Sequence, residues 1–159
     1  MNTQVEELNR LSLSEFPGLY ASLKPPEAGS LRGLFKGSFV GPAWLRRLAK
    51  PLLIITGMGD WWGKEFDPQG KVVNLVWRKG EIERRLPMFV VEQASYIDQG
   101  PSLIVSYAAD NPFPWPWIVD ELRIIRQDLL LGMTIARPRP LRRLPLPFLL
   151  QPRDTIDGL

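Results

Sequence analysis

The chain has no cysteine and no histidine among its 159 residues. Lack of cysteine excludes disulfides, Cys-ligated zinc and iron–sulfur clusters. Lack of histidine leaves acid–base work to Asp, Glu, Lys or Tyr. Also missing are a Gly-x-Ser-x-Gly nucleophile turn, a glycine-rich phosphate loop ending in Lys-Ser/Thr, and a dinucleotide fingerprint. No cofactor is therefore expected. No run approaches the ~18 uninterrupted apolar residues that a spanning helix needs, and the start, Met1-Asn2-Thr3-Gln4-Val5-Glu6-Glu7, lacks the basic and apolar stretches of a secretory signal. These absences, with a cysteine content that fits a reducing compartment, predict a soluble, cytoplasmic protein.

What is present is ordinary in amount and uneven in placement. Hydrophobic residues make up 45% and charged residues 23%, values of a globular chain with room for one domain and a real core. Sixteen prolines and thirteen glycines mean frequent turns. The net charge is only +3, yet residues 31–59 carry Arg32, Lys36, Arg46, Arg47 and Lys50 without an acid, and residues 136–147 carry Arg137, Arg139, Arg142 and Arg143, again without one. Such blocks attract phosphate, anionic lipid or acidic partners, although a solvated face is the simpler reading. The aromatics do not interleave with these arginines, so nucleic acid is not expected as a partner.

Hydrophobic periodicity sets the expected elements. Residues 1–30 read as a helical extension, broken by Pro17-Gly18 and Pro25-Pro26, that packs on the rest as a lid or plug. Leu31 to Val40 reads as a strand with glycines at 33 and 37. Pro42 opens a helix to Ile55, which places Trp44, Leu45, Leu48, Leu52 and Ile55 on one face and Arg46, Arg47 and Lys50 opposite. Pro51 is expected to kink or interrupt this helix. Membrane-surface helices have this pattern, which makes peripheral membrane contact one expectation; a helix covering the end of a barrel is the favoured one. From residue 60 the period is two: Val73, Leu75 and Trp77; Ile82, Leu86, Met88 and Val90; Leu103, Val105 and Tyr107; then 117–126, 129–135 and 146–151. Short, evenly spaced strands predict a mainly β fold, an antiparallel meander barrel or sandwich over residues 31–151 with a C-terminal tail at 152–159.

Six places along the chain carry a family resemblance. Gly33-Leu34-Phe35-Lys36-Gly37 resembles the Gly-x-Trp-x-Gly motif of a group of lipocalin-like bacterial proteins of unknown function, with Phe35 in the Trp place. Trp62-Gly63-Lys64-Glu65-Phe66 resembles that group's Trp/Tyr-Gly-Lys-x-Phe segment, and Tyr107, Asp120 to Arg123, Leu130 to Met133 and Pro147 to Leu150 fit its later strands. The resemblance implies a calycin-like antiparallel β-barrel with N-terminal helices and one helix after the first strand. It brings no catalytic residues.

A barrel of this size can enclose one small ligand or be filled by side chains. The expected function is binding or carriage of a small apolar or amphipathic molecule, such as a lipid or fatty acid. Trp77, Met88 and Tyr107 are candidates for the interior, Trp61 and Trp62 beside Lys64 for one ring-lined mouth, and Trp115 with Trp117 for another, although packing is the simpler reading of such rings. Arg84, Tyr107 and Arg123 stand on otherwise apolar strands and could hold an acidic head group. Glu121 shares the face of Arg123 by alternation, so an internal Glu–Arg pair is equally consistent. The alternative function is a cofactor-free isomerase or lyase built on Tyr107, Asp120 or Glu121, and Arg123.

Overall fold

The computed structural model describes residues 3–157. Eight antiparallel strands close into a barrel in chain order: β1 (Gly33–Phe39), β2 (Asp60–Phe66), β3 (Lys71–Arg78), β4 (Glu81–Ala94), β5 (Pro101–Tyr107), β6 (Ile118–Arg126), β7 (Leu129–Ala136) and β8 (Leu146–Arg153). Closure comes from β1 pairing with β8, Gly37 opposite Leu150 and Phe39 opposite Phe148, which leaves no free sheet edge. Two short helices, α1 (Thr3–Asn9) and α2 (Phe16–Ala21), precede the barrel, and α3 (Ala43–Ile55) joins β1 to β2. The mainly β architecture and the helix after the first strand are as the periodicity predicts. The last strand continues past residue 151 to Arg153.

Strand alternation sorts the side chains into an inner core and an outer skin. Phe35, Phe66, Val72, Val76, Leu86, Met88, Leu103, Val105, Leu122, Leu130, Phe148 and Leu150 fill the barrel. The Phe35 ring meets Phe66 edge-on at 5.2 Å. A second cluster lies outside: Phe16 and Tyr20 of α2 and Leu8 of α1 cover the outward Leu129, Leu131, Met133 and Leu149. Strand β7 is thus buried on both faces, which explains its apolar run from Leu129 to Met133. The N-terminal extension is therefore a cladding on the outer wall of β7 and β8 rather than a lid or plug, because those strands present an apolar outer face that would otherwise meet water. It ends by pairing Lys24 with Ile124, whose amide donates to the Lys24 carbonyl at 2.8 Å.

Glycine makes two close approaches possible. A Cβ on Gly63 would sit 2.0 Å from the Phe35 carbonyl oxygen, so β2 can lie against β1 only with glycine there. A Cβ on Gly37 would meet the Trp61 ring at 2.3 Å, so the first motif's second glycine leaves the floor on which that indole lies. Helix α3 runs through Pro51 without ending. Its Leu45 is buried and its Leu53 packs on the barrel core. Trp44, Leu48, Leu52 and Ile55, expected on the same buried face as Leu45, are exposed.

Candidate functional site

The strands that turn apolar side chains inward also place a polar cluster in the barrel near α3. Lys64 of β2 is almost fully buried and points inward. Its ammonium lies 2.9 Å from Asp120 Oδ2 of β6, donates to Asn74 Oδ1 of β3 at 2.9 Å, and reaches the Met88 sulfur of β4 at 3.2 Å. Thr134 of β7 donates to the other Asp120 oxygen at 2.8 Å. Asn74 accepts from the Trp61 indole at 3.2 Å and donates to the Tyr107 hydroxyl at 3.3 Å. Two rings flank the ammonium, Trp61 at 5.8 Å and Tyr107 at 5.7 Å from the centroids. An ion pair sealed from water gains strength from the low dielectric but carries a desolvation cost that such extra bonds must offset. Here all three ammonium protons have a partner.

Burial, reinforced by the Asp120 charge, raises the Tyr107 pKa well above its ordinary value. The phenol is therefore neutral across the physiological range. It accepts from Asn74, and its own proton has no acceptor among the described residues.

Beside this cluster is a cavity of about 70 Å³ lined by Phe39, Leu53, Met58, Trp61, Lys64, Asn74, Tyr107, Trp115, Asp120, Thr134 and Phe148. Its wall is aromatic on one side: Phe39, Trp61 and Phe148 are in successive ring contact at 5.7 Å, and Trp115 lies 4.9 Å from Tyr107. Its cover is Leu53 of α3 and Met58 just beyond, held in place where the Trp115 indole donates to the Thr56 carbonyl at 3.0 Å. Ligand pockets usually enclose about 300–1,000 Å³. The interior is thus mostly filled by side chains, with one small chamber at the α3 end.

Of the nine residues singled out from the sequence, Lys64, Met88 and Tyr107 meet in this cluster. The other six stand elsewhere. Trp77 faces outward with Val73 and Leu75, because Val72, Asn74 and Val76 are the inward residues of β3; its ring lines a groove with Ile54 and Gly59. Arg84 also faces outward, in a bidentate bond to Glu65 at 2.8 and 3.3 Å. Trp62 follows a register shift after Trp61 and donates to Asp157 of the tail at 2.7 Å, the same carboxylate that pairs with Lys36. Trp117 is half exposed, edge-on to Phe113.

Glu121 and Arg123 are buried, but on the outer wall beneath α2. Arg123 donates to both Asp98 oxygens at 2.6 and 2.8 Å and to the carbonyls of Tyr20 and Pro101, with its guanidinium 4.3 Å from the Tyr20 ring centroid. Burial opposes charge on Arg123, and the Asp98 bonds outweigh it, raising the pKa. Glu121 accepts from Ser102 Oγ at 3.0 Å and from the Tyr96 amide at 2.8 Å. Burial raises the Tyr20 pKa far above the usual value, so its phenol donates to Ser102 at 2.6 Å while Ser102 donates onward to Glu121. Arg123 and Tyr107 are thus on opposite sides of the wall and cannot share one head group.

Trp61, Trp115 and Asp120, which the sequence offers as rim aromatics and as an acid–base carboxylate, complete the cluster and its cavity, together with Asn74 and Thr134, which it does not single out. The signal for Asn74 was available: it is a lone polar residue in phase with apolar neighbours, Val72 and Val76 on β3.

No protein-family model matches this chain, and no curated protein does. A crystal structure of a protein from Thermomonospora curvata shares the fold with a TM-score of 0.68 and 21% identity, over 94% of this chain and 93% of that one. At that identity the likeness shows a common architecture: both chains build an eight-stranded antiparallel barrel of the same overall plan.

Proposed function

We propose that the barrel binds a small amphipathic molecule in the chamber beneath α3, as a lipocalin-like binding protein. The apolar body would lie among the Trp61, Phe148 and Trp115 rings. Its polar group would accept from the Tyr107 hydroxyl or meet the Lys64–Asp120 pair. The observation that carries this reading is the uncommitted Tyr107 proton beside a buried ion pair, facing an aromatic-walled cavity. Replacing a buried ion pair by matched apolar residues is often neutral or stabilising, so packing alone does not require this one. The chamber's volume suits a few heavy atoms; a longer chain requires Leu53 and Met58 to swing away. A fatty acid in the middle of the barrel, held by Arg123, does not fit this geometry.

The test is native mass spectrometry of the purified protein followed by tryptophan-fluorescence titration with short alcohols, aldehydes and acids. A saturable change is expected, lost in Leu53→Trp, which fills the chamber from its cover. Binding that survives Leu53→Trp unchanged rejects this site.

A second reading as a cofactor-free isomerase or lyase draws on the same chamber, since a neutral phenol lies near a carboxylate. Tyr107 would supply the proton and Asp120, the one of the two candidate carboxylates that faces inward, would be the base, without Arg123. Its mark would be solvent deuterium appearing in a bound compound with wild type and not with Asp120→Asn.

A further inference from the structure

The connections that emerge at the α3 end of the barrel differ in surface character from the rest of the molecule. Among the described residues, every exposed large apolar side chain except Phe89 lies on α3 or on the β5–β6 and β7–β8 connections. On α3, Trp44, Leu48, Leu52 and Ile55 form one helical stripe, each more than half exposed. The stripe continues onto the Phe113–Trp117 pair, since the loop bearing that pair is fastened to the end of α3 by the Trp115–Thr56 bond. Arg137 extends the surface by donating to the Pro116 carbonyl. Arg46 and Arg47 of α3 and Arg137 beside Trp117 are the cations nearest the stripe; Lys50 pairs with Asp60 at 3.3 Å, and Arg139, Arg142 and Arg143 stand further off against Pro17, Tyr96 and Ile97.

We propose that this end of the barrel docks on an anionic lipid surface, with α3 lying in the plane of the interface. An exposed apolar stripe rimmed by cations is the arrangement that buries side chains among acyl chains while arginines meet phosphates. Tryptophan suits the boundary, with an apolar ring and a polar edge. At thirteen residues α3 is too short to cross a bilayer and the right length to lie on one. A second copy is a poorer occupant, because a two-fold contact would set these arginines against their own counterparts. The proposal stands apart from the ligand reading, although docking would bring the chamber's cover, Leu53 and Met58, up to the lipid.

The experiment is co-sedimentation of the full chain with phosphatidylcholine vesicles, with and without phosphatidylglycerol, alongside tryptophan emission. Binding to the anionic vesicles, a blue shift, and weakening by salt are expected. Leu48→Asn/Leu52→Asn alters two exposed side chains, so an unchanged thermal melt is expected together with at least about a ten-fold loss of binding. Arg47→Gln should weaken binding about five-fold. Absence of binding to anionic vesicles at low salt overturns the proposal, as does equal binding to both vesicle types. Binding unaffected by Leu48→Asn/Leu52→Asn overturns it too, leaving simple charge adsorption. A concentration-dependent dimer in sedimentation velocity, abolished by the same double variant, assigns the stripe to self-association and also overturns it.

Discussion

Strand β6 places two charged clusters on neighbouring residues and on opposite sides of a wall. Asp120 faces inward to Lys64 and Thr134, and Glu121 and Arg123 face outward under α2. Both clusters are buried, yet they do different work. The outer one is tied into backbone: Arg123 holds the Tyr20 and Pro101 carbonyls, and Glu121 holds the Tyr96 amide. It fastens the N-terminal extension and the β4–β5 loop to the barrel. The inner one is made almost wholly of side chains and borders empty space. A charge that holds backbone is structural, whereas one that faces a cavity without serving the backbone is available for a ligand.

The largest effect is expected where the outer cluster loses its hub. Arg123→Met strands Asp98 and two carbonyls, and should cost about 3–5 kcal/mol in denaturant unfolding. Adding Asp98→Leu should not restore this, because the carbonyls remain unpaired; full restoration would break the contrast. Lys64→Met alone should cost a similar amount, by leaving Asp120 unpaired in the core. Here the compensating pair Lys64→Met/Asp120→Leu should return to within about 1 kcal/mol of wild type, because few backbone groups depend on it. That double variant should keep its fold and lose the fluorescence response to small ligands.

The pH dependence of stability sharpens the contrast at the outer wall. Arg123 holds Asp98 below the ordinary carboxylate value of 3.8. The folded pKa is the lower one, so this contribution is present above 3.8 and disappears as the pH falls through the lowered value. Tyr20 runs the other way: its folded pKa is raised from 10.0, so its contribution is whole below pH 10.0 and is lost as the pH rises beyond it. Melting temperatures across both limits should show a shallower acid limb for Asp98→Asn and a shallower alkaline limb for Tyr20→Phe. Limbs identical to wild type would remove the outer cluster from the pH response. The smallest effect is expected at the exposed pair: Arg84→Met, which breaks the bidentate bond to Glu65, should change stability by less than about 1 kcal/mol.

How far the site was legible follows from the two β strands that carry most of it. On β6, alternation alone put Glu121 and Arg123 together and Asp120 on the other face, which the structure bears out. Which face was inside could not be read, because α2 covers the outer one and both faces are dry. On β3 the more apolar set, Val73, Leu75 and Trp77, suggested the interior, and the interior took Val72, Asn74 and Val76. An inward Asn is paid for only by the partners that Lys64, Trp61 and Tyr107 bring from other strands. On α3, the stripe with the most apolar side chains pointed to burial, and that stripe is the exposed one.

The amino-acid sequence by itself determined the strands, the turns and the helix after β1, because a period of two and the glycine and proline breaks act between near neighbours. It determined, through Gly37 and Gly63, where backbones and rings can approach. Only the tertiary structure decided which face of each strand became the inside, which charges found each other, and how little space was left. Those outcomes depend on pairings between residues far apart in the chain, such as Lys64 with Asp120 and Tyr20 with Arg123, and the closure of β1 on β8 imposes them all at once.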